Sequence, residues 1–192
     1  MPTAPHHVFT YAEYLERERE TGLKHEFVDG QVFAMVGGTP EHARLIAAMS
    51  AALSGMVDPA RCRVFSSDLK IRVGETGLAT YPDVAVVCGD PAGHPDDRLA
   101  VVNPTVLVEV PSARTEAYDR GEKWAHYRRI PSLQAYVLVG QIPARLEAFE
   151  PQESGEFVHR IAETGESLDL ACLGGSVGVA PLYEHRLPEP LR

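Results

Sequence analysis

Two short runs, Val84 to Val87 and Val106 to Val110, are almost continuously apolar, and each carries one carboxylate at its edge. A strand with one wet face alternates polar and apolar residues. A strand that does not alternate is covered on both faces and lies centrally in a sheet. The two runs therefore predict a pair of buried central strands within a layered α/β fold. Pro82-Asp83 opens the first run, and a proline is tolerated at a strand's first residue. Glu109 is the one charge in the second, Thr105 to Val110. A buried carboxylate left uncompensated costs on the order of several kcal/mol. Each acid thus calls for a basic partner, a bound proton, a metal ion, or a strand end that reaches solvent.

The flanking chain supplies the layers. Thr10 with Glu13 reads as a capping box for a helix that runs to about Thr21 and stops at Gly22. Asp29-Gly30 between His25–Val28 and Gln31–Met35 signals a hairpin. Thr39-Pro40-Glu41 opens a second helix, and Leu45, Met49, Leu53 and Met56 give it a wide apolar stripe to press against a sheet. Arg63 to Val73 reads as one strand, with Leu69, Ile71 and Val73 on one face and Lys70 and Arg72 on the other. A third helix is expected from about Thr115 to Arg129, ending before Pro131. Strands follow at Ala135–Val139, Arg145–Phe149 and Phe157–Ile161, then an apolar, glycine-rich closing segment from Leu168 to Tyr183. This order predicts a single domain over residues 1–192, a mixed sheet flanked by helices.

Composition narrows the function classes. An apolar share of 44% and a charged share of 23% are those of a globular chain. No apolar run is long enough to span a bilayer, and Met1 to Thr10 lacks the charged start and apolar stretch of a secretory signal. Cys62, Cys88 and Cys172 are odd in number and widely spaced, so no disulfide framework or zinc knuckle is expected, and a cytoplasmic location fits. The net charge of −9 argues against tight non-specific binding to nucleic acid unless a local basic patch or bound metal reverses the sign.

The helix after Glu109 bears on chemistry. Arg120, Lys123 and Tyr127 fall at i, i+3 and i+7 and share one face, while Ala117, Gly121 and Trp124 form an apolar face beside it. Folded back through Pro111–Arg114, the helix crosses the strand end, where Lys123 can reach a water or phosphate held by a metal. The competing reading pairs Lys123 with Asp119 on the surface. Two acids on neighbouring central strands, with a basic helix beside them, suit a hard divalent cation such as Mg²⁺ or Mn²⁺.

The segments HEFVDGQVF, TYPDVAVV and PTVLVEVPSARTEAYDRGEKWAHYRRIPSLQAYVLV resemble a large bacterial family of restriction-endonuclease-like proteins, the Uma-type endonucleases of the PD-(D/E)XK superfamily. The likeness runs from about Phe9 to Tyr183. It implies a restriction-endonuclease-like fold, a mixed sheet with helices on both faces, and metal-dependent cleavage of phosphodiester bonds, with DNA as a transient substrate. Asp83 resembles the PD aspartate, Glu109 the following acid, and Glu26 an additional acid before the long helix. His42 resembles a further family position, with capping or packing as its competing role. The lysine expected two residues after the second acid is replaced by Pro111, and Lys123 takes its place from the helix. The chain also reads PSART where the family reads LSPST, which stiffens the backbone beside the site.

The resemblance leads to one mechanistic expectation. Asp83, Glu109 and the Val110 carbonyl hold the metal, Glu26 stands outside it, Lys123 orients water or meets the phosphorus, and Arg120, Tyr127 and His42 touch substrate. The rival expectation is a catalytically silent binding or assembly module, which the acidic balance and Pro111 favour. The apolar segments Ala135–Val139 and Leu168–Val179 offer a face for a homodimer or larger homo-oligomer, and core packing accounts for them equally well.

Overall fold

The computed structural model describes residues 7–187. The reading of a missing secretory signal concerns Met1 to Thr10, of which residues 1–6 lie outside that range. Helix α1 (Tyr11–Thr21) begins with the expected capping box of Thr10 and Glu13 and ends at Gly22 in the left-handed region. Strands β1 (His25–Val28) and β2 (Gln31–Ala34) form the hairpin, with Asp29 and Gly30 both at positive φ as such a tight turn demands. Helix α2 (Pro40–Met56) buries Leu45, Met49 and Leu53.

Beyond α2 the chain lays down β3 (Cys62–Ser66), β4 (Lys70–Arg72), β5 (Ala79–Thr80), β6 (Val84–Cys88), β7 (Gly93–His94), β8 (Asp97–Val101) and β9 (Val106–Glu109). Helices α3 (Glu116–Arg120) and α4 (Glu122–Tyr127) come next, then β10 (Ala135–Gly140), β11 (Arg145–Pro151) and β12 (Phe157–Glu163). The chain closes with a β13 (Ser167–Leu170)–β14 (Gly175–Gly178) ribbon and α5 (Val179–Tyr183). The strands form two six-stranded sheets, ordered β2-β1-β5-β4-β8-β7 and β12-β11-β10-β9-β6-β3. The second is the mixed central sheet, with β9 and β10 parallel and its other pairs antiparallel.

As the unalternating runs require, β6 and β9 lie inside this sheet and are buried on both faces. One face, with Val84, Val86, Val106 and Val108, packs on α2 and the closing ribbon. The other, with Ala85, Val87 and Leu107, packs on Ile71, Leu78 and Tyr127 from the first sheet and α4. Each fully buried Val or Leu here contributes about 1.5–3 kcal/mol relative to exposure.

Several expectations need correction. The strand read from Arg63 to Val73 is two strands in different sheets, because the chain turns at Ser67-Asp68. The helix read from Thr115 to Arg129 breaks at Gly121, whose φ of −109° and ψ of −90° are not helical. Cys62 and Cys88 stand opposite each other in the β3–β6 register and form a disulfide, which sequence spacing could not reveal. Cys172 is free. The disulfide withdraws the cysteine-based argument for a reducing compartment. The apolar residues of Ala135–Val139 and Leu168–Val179 lie largely in the chain's own core, the packing role that the sequence offered for them beside a homo-oligomer face. Among the described residues no helix is long and apolar enough to cross a membrane.

Candidate active site

The C-terminal end of β9 and the start of β6 meet because the two strands are antiparallel. Continuing their register one step beyond Val84 and Val108 sets Asp83 opposite Glu109 on the same sheet face. The Val110 N–H donates to Asp83 Oδ2 at 2.7 Å, so the backbone at the end of β9 fixes the aspartate. Val110 thus enters the site through its N–H. Pro111, next in line, has its carbonyl capped by Gln141 Nε2 at 2.8 Å.

Lys123 completes the group from α4. Its ammonium lies 2.9 Å from Glu109, 3.5 Å from Asp119 and 3.7 Å from Glu26, and all four side chains are buried. Lys123 thus pairs with Asp119 one turn back, as the competing reading had it, and also lies beside Glu109 and Glu26 of the two sheets. The pairing with Asp119 is an interior one. Glu26 comes from β1 of the other sheet, where Thr80 donates to it at 2.6 Å and Tyr118 also donates. Tyr127 is fully buried, and its hydroxyl donates to Glu109 Oε1 at 2.8 Å.

Three carboxylates (Glu26, Glu109 and Asp119) thus surround one ammonium, and Asp83 lies across from Glu109. Glu109 is pushed up to about 8 by burial first, and by the charges of Asp83 and Asp119, against the pull of Lys123. Asp119 is raised by burial despite Lys123 and Thr115. Lys123 is held above its ordinary range: burial opposes its charge, and Glu109, Glu26 and Asp119 outweigh that. Burial leads the upward shift of Glu109, whereas at Lys123 the surrounding carboxylates outweigh burial.

His42 approaches from the other layer, its Nε2 3.4 Å from Asp83 Oδ2 at the accessible rim of the site. The hydrogen bond to Asp83 raises its pKa, against the effect of burial. The bare backbone of Gly38 permits this placement, since a Cβ there would fall 2.3 Å from His42 Nδ1. Arg120 does not join the group. Its guanidinium forks onto Glu147 of β11 at 2.8 and 2.5 Å and also holds Glu116. The helix break at Gly121 accounts for this divergence from Lys123. Asp119 was named from the sequence only as a surface partner of Lys123, and Tyr118 and Thr80 were not singled out. The spacing of Asp119 from Lys123 was visible, whereas the contacts of Thr80 and Tyr118 with Glu26 depend on the packing of separate elements.

Among the described residues no three His, Cys, Asp or Glu side chains converge as a ready-made metal cage. Mg²⁺ is typically held by one or two carboxylates together with water and substrate phosphate. Asp83 facing Glu109, with a surplus of negative charge around them, fits that donor set.

Two uncharacterised proteins of Synechocystis sp. are similar to this chain. One is 34% identical over 182 residues, covering 95% of both chains, and the other is 33% identical over 150 residues, covering 78% of this chain and 85% of the relative. The structure resembles the crystal structure of a "putative nuclease belonging to DUF820" from Anabaena variabilis, with a TM-score of 0.70 at 14% identity. That match covers 86% of this chain and 93% of the other, and it establishes a shared fold. A family model described as "Putative restriction endonuclease" matches residues 11–180, and the chain therefore belongs to the Uma2 family.

Proposed function

We propose that this chain is a metal-dependent endonuclease that hydrolyses phosphodiester bonds of nucleic acid, with DNA as the expected substrate. One observation carries the reading: Lys123, delivered by a helix, lies 2.9 Å from Glu109 where the sheet itself offers Pro111. An aspartate, a glutamate and a lysine are thereby gathered although the linear spacing of the superfamily is broken.

Asp83 and Glu109 would hold Mg²⁺ or Mn²⁺, with the Val110 carbonyl as a candidate third oxygen. Bound there, the ion supplies a water of lowered pKa and neutralises charge on the scissile phosphate. Lys123 places a fixed positive charge beside the carboxylates and stabilises charge growing on the phosphoryl oxygens. Tyr127 and the Val110 N–H orient Glu109 and Asp83 respectively, while Glu26 holds Lys123 from behind. His42, at the rim, is the group placed to meet a phosphate first. Arg120, locked on Glu147, acts as a brace for α3, and Tyr127 serves Glu109 instead of the substrate.

The test is calorimetric titration of Mg²⁺ and Mn²⁺ into wild type and Asp83→Asn, with cleavage assays on DNA and RNA alongside. The reading expects binding that Asp83→Asn abolishes, and cleavage that Glu109→Gln lowers on the order of 10³-fold. Metal-dependent cleavage retained in both variants sinks it. A second reading, a silent binding or assembly module, is favoured by the lack of a preformed metal cage among the described residues. It expects no metal-dependent rise in melting temperature and no cut substrate.

A further inference from the structure

On the sheet face that carries Glu109, a series of aromatic rings runs from the core to the surface. Tyr136 is fully buried, and Trp124 stacks on it with centroids 5.5 Å apart and planes 5° apart. Phe149 stacks on Trp124 at 4.9 Å, and the His159 imidazole lies flat on Phe149 at 4.4 Å and 2°. His159 ends the series with 41% of its side chain exposed, its Nε2 held 2.9 Å from Glu147. Phe157 stands edge-on to Trp124 at 4.8 Å, and the Arg128 guanidinium lies 5.4 Å above the Phe157 ring. Trp124, Phe149, Phe157 and His159 line one open groove with Arg128 and Glu156, both exposed.

A closed packing cluster has no need of a charged, exposed rim. A π stack whose last ring, His159, is exposed and is bordered by a guanidinium and a carboxylate matches a flat ring with polar edges. Nucleobases have that chemistry: every base has a π face to stack, and its edge carries donors and acceptors.

Strand register locates the groove relative to the acids. Glu109 lies opposite Leu138, Leu138 opposite Glu147, and Glu147 opposite Ile161. Phe149 and His159 sit two residues along β11 and β12 on that same face. Three strand spacings of ~4.8 Å and two residues of ~3.4 Å put His159 roughly 16 Å from Glu109. Helices α3 and α4 cover the face between them, so a nucleic-acid strand joining the two would pass around these helices, still within several nucleotides.

We propose that the groove receives one unstacked nucleobase of the strand cut at Asp83 and Glu109, which continues the Trp124–Phe149–His159 stack at its exposed His159 end with Arg128 and Glu156 at its edge. The inference rests on the nuclease reading and adds to it that the substrate is single-stranded or locally opened, since a base inside a duplex has no free face.

Trp124 is the single tryptophan, so its emission reports on the groove directly. A short single-stranded DNA oligomer and an abasic oligomer of equal length are titrated into the full chain, with Ca²⁺ replacing Mg²⁺ to read binding without cleavage. The expected result is quenching by the base-bearing oligomer and an affinity about 10-fold above that of the abasic one. His159→Gln keeps a donor for Glu147 but removes the ring, and Phe157→Leu keeps apolar bulk. Each should shrink that 10-fold preference without weakening abasic binding. Equal affinity for the two oligomers with Trp124 emission unmoved overturns the base site and leaves the nuclease reading intact. Failure of both oligomers to bind removes the nuclease reading and the base site together.

Discussion

The molecule buries two lysines among acids, and the two surroundings differ in kind. Lys70, on β4, lies 2.8 Å from Glu18 and 3.0 Å from Asp97, with the Tyr14 ring beneath it. The carboxylates there are amply supplied with donors. Tyr81 and the His25 N–H donate to Glu18, and Tyr11 and the Leu99 N–H donate to Asp97. Asp97 is accordingly held below its ordinary pKa: burial pushes it up, and the bonds from Lys70 and Tyr11 outweigh that. Around Lys123 the balance reverses. Asp119 starts from the same ordinary value and is raised, and Glu109 is pushed up to about 8. One cluster is a satisfied ion-pair network that ties α1 to the first sheet. The other holds more negative charge than its lysine can neutralise, as a site for a cation should.

The largest effect that separates the clusters is on stability. Lys70→Met leaves Glu18 and Asp97 buried without their cation and should cost about 3–5 kcal/mol in urea unfolding at neutral pH. Lys123→Met should cost less, because Glu109 relieves the excess charge by taking up a proton near neutrality. Equal losses in the two variants would mean that the clusters are of one kind.

Metal binding should sharpen the contrast. Mg²⁺ at about one hundred times its Kd should add ~2.7 kcal/mol to the stability of wild type. Asp83→Asn should lose that increment, and Lys70→Met, destabilised as it is, should keep it. An increment that survives in Asp83→Asn would place the cation elsewhere.

The contrast between the clusters was only partly legible in the sequence. Asp83 and Glu109 stood out because a charge inside an unalternating strand is costly, and the register of β6 and β9 did bring them face to face. Lys123 was found from helical spacing, which survives within a single turn. Arg120 was placed on the same face by that spacing, yet Gly121 breaks the helix between them and sends Arg120 to Glu147. The Lys70 cluster was invisible. Arg63 to Val73 read as one strand with Lys70 and Arg72 on the face opposite Leu69, Ile71 and Val73, whereas the turn at Ser67-Asp68 carries Lys70 into another sheet, beneath α1. Its partner Asp97 lies on β8, a strand that the sequence reading did not identify. Local periodicity shows which side chains share a face. It does not show which distant element covers that face, and both clusters are built from such coverings.

The smallest effect, read per pH unit, is one of pH, and the two clusters contribute with opposite sign. Asp97 has a folded pKa below its ordinary 3.8, so its stabilisation is present above that value and fades as pH falls through the folded pKa. Glu109 has a folded pKa near 8 against an ordinary 4.5, so between these values the folded state binds more protons than the unfolded one. Its contribution to stability is therefore full below 4.5 and declines as pH rises toward about 8. Neither slope can exceed about 1.4 kcal/mol per pH unit, the value for one proton. Unfolding free energies measured from acid to mildly basic pH without divalent metal should show both limbs. Asp97→Asn should flatten the acid limb alone, and Glu109→Gln the upper limb alone. Saturating Mg²⁺ should flatten the upper limb as well, because a cation beside Glu109 removes the reason for its retained proton. An upper limb that persists unchanged in Glu109→Gln would assign the excess charge to other groups and leave the two lysine clusters alike.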